Sequence, residues 1–179
     1  MIQRIRQFVR AVTARVMQAD RDYVARVLPA SAYPGAQELF YRMHPADQVH
    51  ALNVAHTAER LADERRSAAD RDLLRRAALL HDVGRQKGDL DIWGKVFCVL
   101  MYHYLPSLAK RWQCAAVRYP WQLIGHALYV YEHHPAIGAE RLRRIGMDAE
   151  ADIIVHHHER PLPEQPVELR LLGEADELN

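Results

Sequence analysis

An all-α fold, a helical bundle, is the expectation for this 179-residue chain, and three observations lead to it. Apolar residues recur at three- and four-residue intervals along most of the chain. No stretch alternates apolar and polar residues, as a half-buried strand would. The periodic segments are bounded by Pro, Gly or a cap-forming Asp. The length suits one structural unit with a core that needs no disulfide.

The first segment places Ile5, Phe8, Val9, Val12 and Val16 at i, i+3, i+4, i+7 and i+11, which predicts a helix over 2–18. Its other side carries Arg4, Arg6, Arg10 and Arg15, and no acid precedes Asp20. That face is a solvated basic surface or an attachment to anionic lipid. Asp20 can cap a second helix, with Tyr23, Val24, Val27 and Leu28 inward, ending near Pro29. After a loop at Pro34-Gly35, Leu39, Phe40 and Met43 open the next packed segment. Residues 1–43 therefore read as N-terminal helices packed on a core domain spanning 44–179.

The segment 46–62, placed on a helical wheel, gathers Ala51, Val54, Ala55, Ala58, Leu61 and Ala62 on one face. His50 lies at the edge of that face and His56 nearly opposite it. Arg71 to Leu80 is again helical, with Leu73, Leu74, Ala77 and Ala78 inward, and Gly84 reads as its left-handed terminator. His81 and Asp82 then occupy its last turn. Burying an imidazole beside a carboxylate costs several kcal/mol without compensation, and a metal ion compensates both.

Residues 89–131 hold nine of the fourteen aromatics. They read as helices over 93–104 and 106–117, broken at Pro106, with a further helix over 121–132. Such an insertion serves as core, homodimer contact, lid or peripheral membrane contact. His134-Pro135 opens another helix with Pro135 in its first turn, carrying Ile137, Leu142 and Ile145 inward and ending at Gly146. Asp148 caps the next helix, in which Ala151, Ile154 and His158 share one stripe and Ile153 aligns with His157. Pro161 and Pro163 stop it. The last helix, from Val167, aligns Leu169, Leu172 and Asp176, so a carboxylate points where leucines point.

Five helices thus each bring a His or Asp from an apolar face or its edge: His50, His81 with Asp82, His134, His157 or His158, and Asp176. Each alone is ordinary structural chemistry; together they call for a common explanation, and a metal centre supplies one. Imidazole and carboxylate donors without cysteine suit iron, manganese or zinc. One or two divalent ions fit the number of donors, iron or manganese first, then zinc, nickel or magnesium. Two ions bridged by a carboxylate can bind an attacking water and substrate oxygens together.

Composition narrows the rest. A formal net charge of +1 leaves no general nucleic-acid footprint. Cys98 and Cys114 form neither a C-x-x-C pair nor a zinc ribbon, and read as reduced thiols of a cytoplasmic protein. No secretory signal is evident, and the apolar run from Val96 to Tyr102 is too short to span a bilayer.

The blocks His50-Ala51-Leu52-Asn53-Val54-Ala55, Ala77-Ala78-Leu79-Leu80-His81-Asp82-Val83-Gly84, His134-Pro135-Ala136-Ile137-Gly138-Ala139, His157-His158-Glu159 and Ala175-Asp176 resemble the HD-domain metal-dependent phosphohydrolases, especially the HDIG subgroup. The resemblance runs from about 47 to 176, with the aromatic hairpin inserted or enlarged. It implies that His50, His81, Asp82 and Asp176 hold one metal. It also implies that Asp82 bridges to a second, held by His134 and His157, with His158 close by. Many relatives carry lysine after the glycine of the His-Asp motif; here Arg85 stands there, with Lys87 two further on. Both are expected to neutralise phosphate oxygens, and arginine does so bidentately. The Gly-Tyr-Pro extension of cyclic-di-GMP phosphodiesterases is absent, because Arg160-Pro161-Leu162-Pro163 follows Glu159. With only three residues after it in this chain, Asp176 is expected to be a loosely held ligand. The activity implied is hydrolysis of a small phosphoester such as a nucleotide. A di-iron oxygenase built on the same ligands, or a non-enzymatic module binding through 89–131, are the rival readings.

Overall fold

The computed structural model describes residues 16–89, 92–160, 162 and 164–179, so most of the helix expected over 2–18 lies outside the described residues. Among the described residues every regular element is helical. The helices are α1 (Gln18–Val27), α2 (Ala36–Arg42), α3 (Pro45–Glu64), α4 (Arg71–Leu80), α5 (Ile92–Tyr104), α6 (Pro106–Trp112), α7 (Leu123–Arg143), α8 (Asp148–Ile154) and α9 (Val167–Leu178), with a 3-10 turn at Pro120–Gln122 before α7.

The long α3 is the spine. Pro45 occupies its first turn, where the missing N–H costs nothing, and the side chain of His44 accepts from the Ala46 N–H. Ala51, Val54, Ala55, Ala58 and Ala62 are small and buried, so α4 and α9 approach closely along that face. At the start of α4, Asp70 accepts from the N–H groups of Asp72 and Leu73 at 2.9 and 3.1 Å, an ordinary N-cap. Its Leu74, Leu79 and Leu80 are wholly buried between α3 and α8. Asp20 is not the cap residue expected for α1. It stands three residues past the cap and accepts the Met17 N–H at 2.8 Å. Asp148 likewise begins α8 rather than capping it, Met147 being the residue before the first turn.

A second, smaller core joins Cys98, Met101, Ala109, Ala127, Leu128 and Val130 from α5, α6 and α7. Burial there pushes the Cys98 thiol up to about 11, so it stays protonated at neutral pH. Helix α6 stops at Trp112 rather than reaching 117, because the Cys114 N–H bonds across to the Gly125 carbonyl at 3.0 Å.

The main departure from the sequence reading is α7, which is one helix from 123 to 143 with Pro135 in its interior, not two helices meeting at His134-Pro135. An interior proline leaves the carbonyl four residues back without its usual donor. Here that carbonyl belongs to Tyr131, and the Nδ1–H of His134 donates to it at 2.9 Å. The side chain takes over the bond that the backbone gives up, so the helix continues. Helix α8 also ends sooner than its apolar stripe suggests. Past Ile154 the chain tightens, with the His156 and His157 N–H groups bonded to carbonyls three residues back. The tightened turn changes which histidine faces inward: His157 is buried and His158 half exposed.

Candidate metal centre

Polar side chains meet where α4 ends, α7 passes its proline and α8 gives way to the turn. His81, Asp82 and His134 are each 1% exposed, and His157 is buried as well. His81 is the C-cap of α4 rather than part of its last turn, and Asp82 follows in the next turn. Gly84 does not take the left-handed conformation expected of a terminator; its φ is not positive. Glycine is required there for another reason. A Cβ on Gly84 would lie 2.0 Å from the His134 carbonyl oxygen, and one on Gly138 would lie 3.1 Å from the Gly84 nitrogen. These two glycines let α7 press against the His-Asp loop, which carries His134 to Asp82.

One local device recurs at three buried histidines. Nδ1 of His81 lies 2.8 Å from the Ala78 carbonyl, that of His134 2.9 Å from Tyr131, and that of His157 2.6 Å from Ile154. A carbonyl can only accept, so each Nδ1 carries the proton, and each acceptor lies three residues back. Nε2 is left as a lone-pair donor in all three rings, as when an imidazole is oriented to bind a metal.

Two of those nitrogens, on His81 and His134, lie near carboxylates. Asp82 Oδ1 lies 3.3 Å from His134 Nε2, while Asp82 Oδ2 and Asp176 Oδ1 lie 3.7 and 3.8 Å from His81 Nε2. His50 Nε2 meets Asp176 Oδ1 at 2.8 Å, and His158 Nδ1 lies 3.8 Å from Asp176 Oδ2. Three overlapping groups have donor atoms within 4.8 Å of one another: His50, His81 and Asp176; His81, Asp82 and His157; and His134, His157 and His158. The fit to a cation rests on unsatisfied atoms. Nε2 of His81, Nε2 of His157 and Oδ1 of Asp82 are buried without a hydrogen-bond partner, an arrangement costly for a folded protein unless a ligand uses them.

The electrostatics favour the same donors. Burial opposes the charge on Asp82, but Arg85, then His81 and His134, outweigh it and hold the carboxyl well below its ordinary range. Asp176 is also lowered, its burial outweighed by the His50 hydrogen bond and the His81 charge. Burial and then Arg85 push His134 well below its ordinary value. Burial, with His81 next, takes His157 down to about 3. His50 is raised, because Asp176 and Asp82 together overcome its burial. The cluster thus combines two ionised carboxylates with imidazoles, His134 and His157, that burial keeps neutral.

Arg85 donates to Asp82 Oδ2 at 2.8 Å and to His134 Nε2 at 2.9 Å. Lys87, expected beside it, is exposed and does not line the adjoining cavity; its backbone N–H bonds to the Arg42 carbonyl, which turns the loop aside. The second cation at the cavity is instead Lys95 of α5, paired with Asp47 of α3. In sequence Lys95 stands out only as the one Lys or Arg of α5; its pairing with α3 is set by the fold. The cavity measures about 340 Å³ and is lined by His50, Asn53, Asp82, Arg85, Lys95 and Asp176 among others. Asp176 is firmly seated, since α9 packs on α3 and Asn179 bonds Thr57 Oγ1 and the Ala175 carbonyl. His56, by contrast, lies on the outer side of α3, 3.7 Å from Glu59 and against the Tyr23 ring.

Residues 48–105 match the family model of the HD domain, a stretch that contains His50, His81 and Asp82 but ends before His134, His157, His158 and Asp176. No curated protein and no solved structure matches the chain. An all-helical architecture around a His/Asp cluster able to hold a metal accompanies that match, so over residues 48–105, which carry its first two ligand-bearing helices, the chain is similar to an HD domain.

Proposed function

We propose that the chain hydrolyses a phosphoester of a nucleotide or related small molecule, using one or two divalent ions. The observation that carries this reading is the trio His81, His134 and His157, each pinned through Nδ1, with Nε2 of His81 and His134 near Asp82 or Asp176 and His157 grouped with His81 and Asp82 within 4.8 Å. His50, His81, Asp82 and Asp176 would hold one ion, and Asp82, His134 and His157 a second, with His158 beside it. A divalent ion there supplies positive charge for phosphoryl oxygens and lowers the pKa of a water toward neutrality.

The residues do the remaining work. The cavity volume of about 340 Å³ suits a small ligand. Arg85, with a planar fork, and Lys95, a point charge, both line the cavity, so both can neutralise a phosphoryl group bound there. Asp82 and Asp176, ionised throughout the neutral range, balance the cations and keep the site from repelling them. Cytoplasmic location and hydrolase chemistry belong to this reading together.

The test is metal analysis of anaerobically purified protein, followed by a screen of phosphomonoesters, phosphodiesters and nucleotides. Iron, manganese or zinc in at least equimolar amount is expected, with hydrolysis that a chelator removes and the metal restores. Hydrolysis that survives complete chelation would refute the reading. Bound iron with oxygen consumption and no phosphoester turnover would replace it with the di-iron oxygenase.

A further inference from the structure

The hairpin tip between α6 and α7 departs from ordinary surface composition. Trp112 and Trp121 are 53% and 73% exposed, and Val117, Tyr119, Leu123 and Ile124 are exposed around them. The tip is one place in space: a Cβ on Gly125 would touch the Trp112 carbonyl oxygen at 2.3 Å, and the Cys114 N–H reaches the Gly125 carbonyl. It is also rigid. Gln122 Oε1 accepts from the Arg118 and Tyr119 N–H groups at 2.7 and 3.1 Å, and the Tyr119 and Trp121 rings stack 4.6 Å apart and nearly parallel. Large aromatic side chains are thus held out in water by a built loop, at a cost that an apolar partner would relieve.

Charge identifies the partner. Between Asp91 and Glu132 the sequence holds no carboxylate side chain, while Lys95, Lys110, Arg111 and Arg118 all fall within it. Lys110 lies 3.6 Å from Glu132, whereas Arg111 and Arg118 form no ion pair among the described residues. A second copy of this chain fits poorly. A two-fold contact would bring the unpaired Arg111 and Arg118 of both copies into one interface with no acid of the tip to offset them. An anionic bilayer surface fits, since it offers an apolar layer for the rings and negative headgroups for the cations. No helix among the described residues is long and apolar enough to cross a membrane, so the contact is peripheral.

We infer that the tip formed by Trp112 and residues 117–124 docks the protein on anionic lipid, with the indoles in the headgroup region and Arg111 and Arg118 on lipid phosphates. Helix α5 shares this subdomain and carries Lys95 to the cavity, which ties the docking element to the site without making either depend on the other.

The test is sedimentation of the full chain with vesicles of phosphatidylcholine, with and without phosphatidylglycerol, together with tryptophan emission and quenching by brominated lipid. Binding to the anionic vesicles, a blue shift and quenching are expected. Arg111→Gln with Arg118→Gln should lower the partition coefficient roughly 10- to 30-fold. Trp112→Ser with Trp121→Ser should lower it at least about tenfold. Circular dichroism and melting serve as the check on folding; these side chains are exposed, so neither should change. Equal binding to neutral and anionic vesicles, or none to either, would overturn the inference. So would a concentration-dependent dimer that the tryptophan variants dissolve while lipid binding is absent.

Discussion

The His-Asp cluster and the aromatic hairpin break the usual partition of side chains in opposite directions. At the cluster, ionisable groups are buried with atoms left unpaired; at the hairpin tip, indoles and branched aliphatics stand in water. Each is costly in the isolated chain, and each is fixed by hydrogen bonds that prevent relaxation. The difference lies in what would relieve the cost: a cation in the first region, an apolar phase in the second. A departure from the inside–outside rule therefore indicates the chemistry of the missing partner as well as its place.

The largest effect that can break this comparison is at Asp82. Asp82→Ala removes the buried charge on which His81, His134 and Arg85 all bear. Metal content should fall and turnover should drop by about 1000-fold or more, roughly 4 kcal/mol in the barrier. Melting of the chelated variant should show a loss of about 3–5 kcal/mol, because Arg85 is left partly buried without its partner. Trp121→Ser, at the other end, should change none of these readouts. Full metal content and turnover in Asp82→Ala would place the site elsewhere.

Arg85 comes next. If its guanidinium clamps phosphate, Arg85→Ala should lower kcat/KM roughly 10- to 1000-fold, about 1.4–4 kcal/mol of transition-state binding. Metal content should hold, since Arg85 supplies no lone pair. Arg85→Lys should recover only part of the loss, and Lys87→Ala should lose nothing, its side chain lying outside the cavity. Unchanged kinetics in Arg85→Ala would remove it from the site.

Protonation tests the buried region from another side. In chelated protein, His157 is held down to about 3, and His134 and His158 are also lowered, all chiefly by burial. Between that value and their ordinary one of about 6.5 the unfolded chain binds more protons, so stability rises with pH through this window. His50, raised, contributes in the opposite sense, as a single group against three. Melting temperature should therefore climb as pH rises from about 5 to about 7. A flat profile would mean that the three rings are open to water.

Much of this arrangement was legible in the sequence. Helical period placed His50 at the edge of the buried face and His56 nearly opposite it, because α3 is regular throughout its length. It placed Asp176 among leucines for the same reason. Where helices end, the period stops informing. The choice between His157 and His158 turned on a tightened turn after Ile154, and the reason for Gly84 lay in α7, fifty residues away in sequence. Lys95 was missed because pairing across α3 and α5 is a tertiary fact. Pro135 was misplaced because first-turn proline is the ordinary rule, and the donor that rescues an interior one is a side chain.

That rescue yields a milder test. Pro135→Ala restores a backbone donor to the Tyr131 carbonyl, in competition with His134 Nδ1–H. The helix should gain stability, up to about 3 kcal/mol from propensity. Metal affinity should fall about tenfold, since the outer hydrogen bond that fixes the ring is weakened. Metal titration against melting separates the two effects, and a variant that gains in both would show that the proline has no part in orienting His134.

The smallest effect is expected at His56, and its value lies in the contrast with His50. His50 shares its Nε2 with Asp176 at 2.8 Å and sits within the first donor group, so His50→Ala should lower metal content. His56 offers its ring to Tyr23, at 4.6 Å between centroids, and a long contact to Glu59, both on the outer side of α3. Its removal should cost less than about 1 kcal/mol of stability, as an exposed ion pair does, and should leave metal content and turnover as they are. The two histidines lie six residues apart on one helix, so the pair tests the phase of α3 directly. Equal metal loss in both variants would mean that the helix presents a different face to the cluster, and that the buried donors are not the ones named.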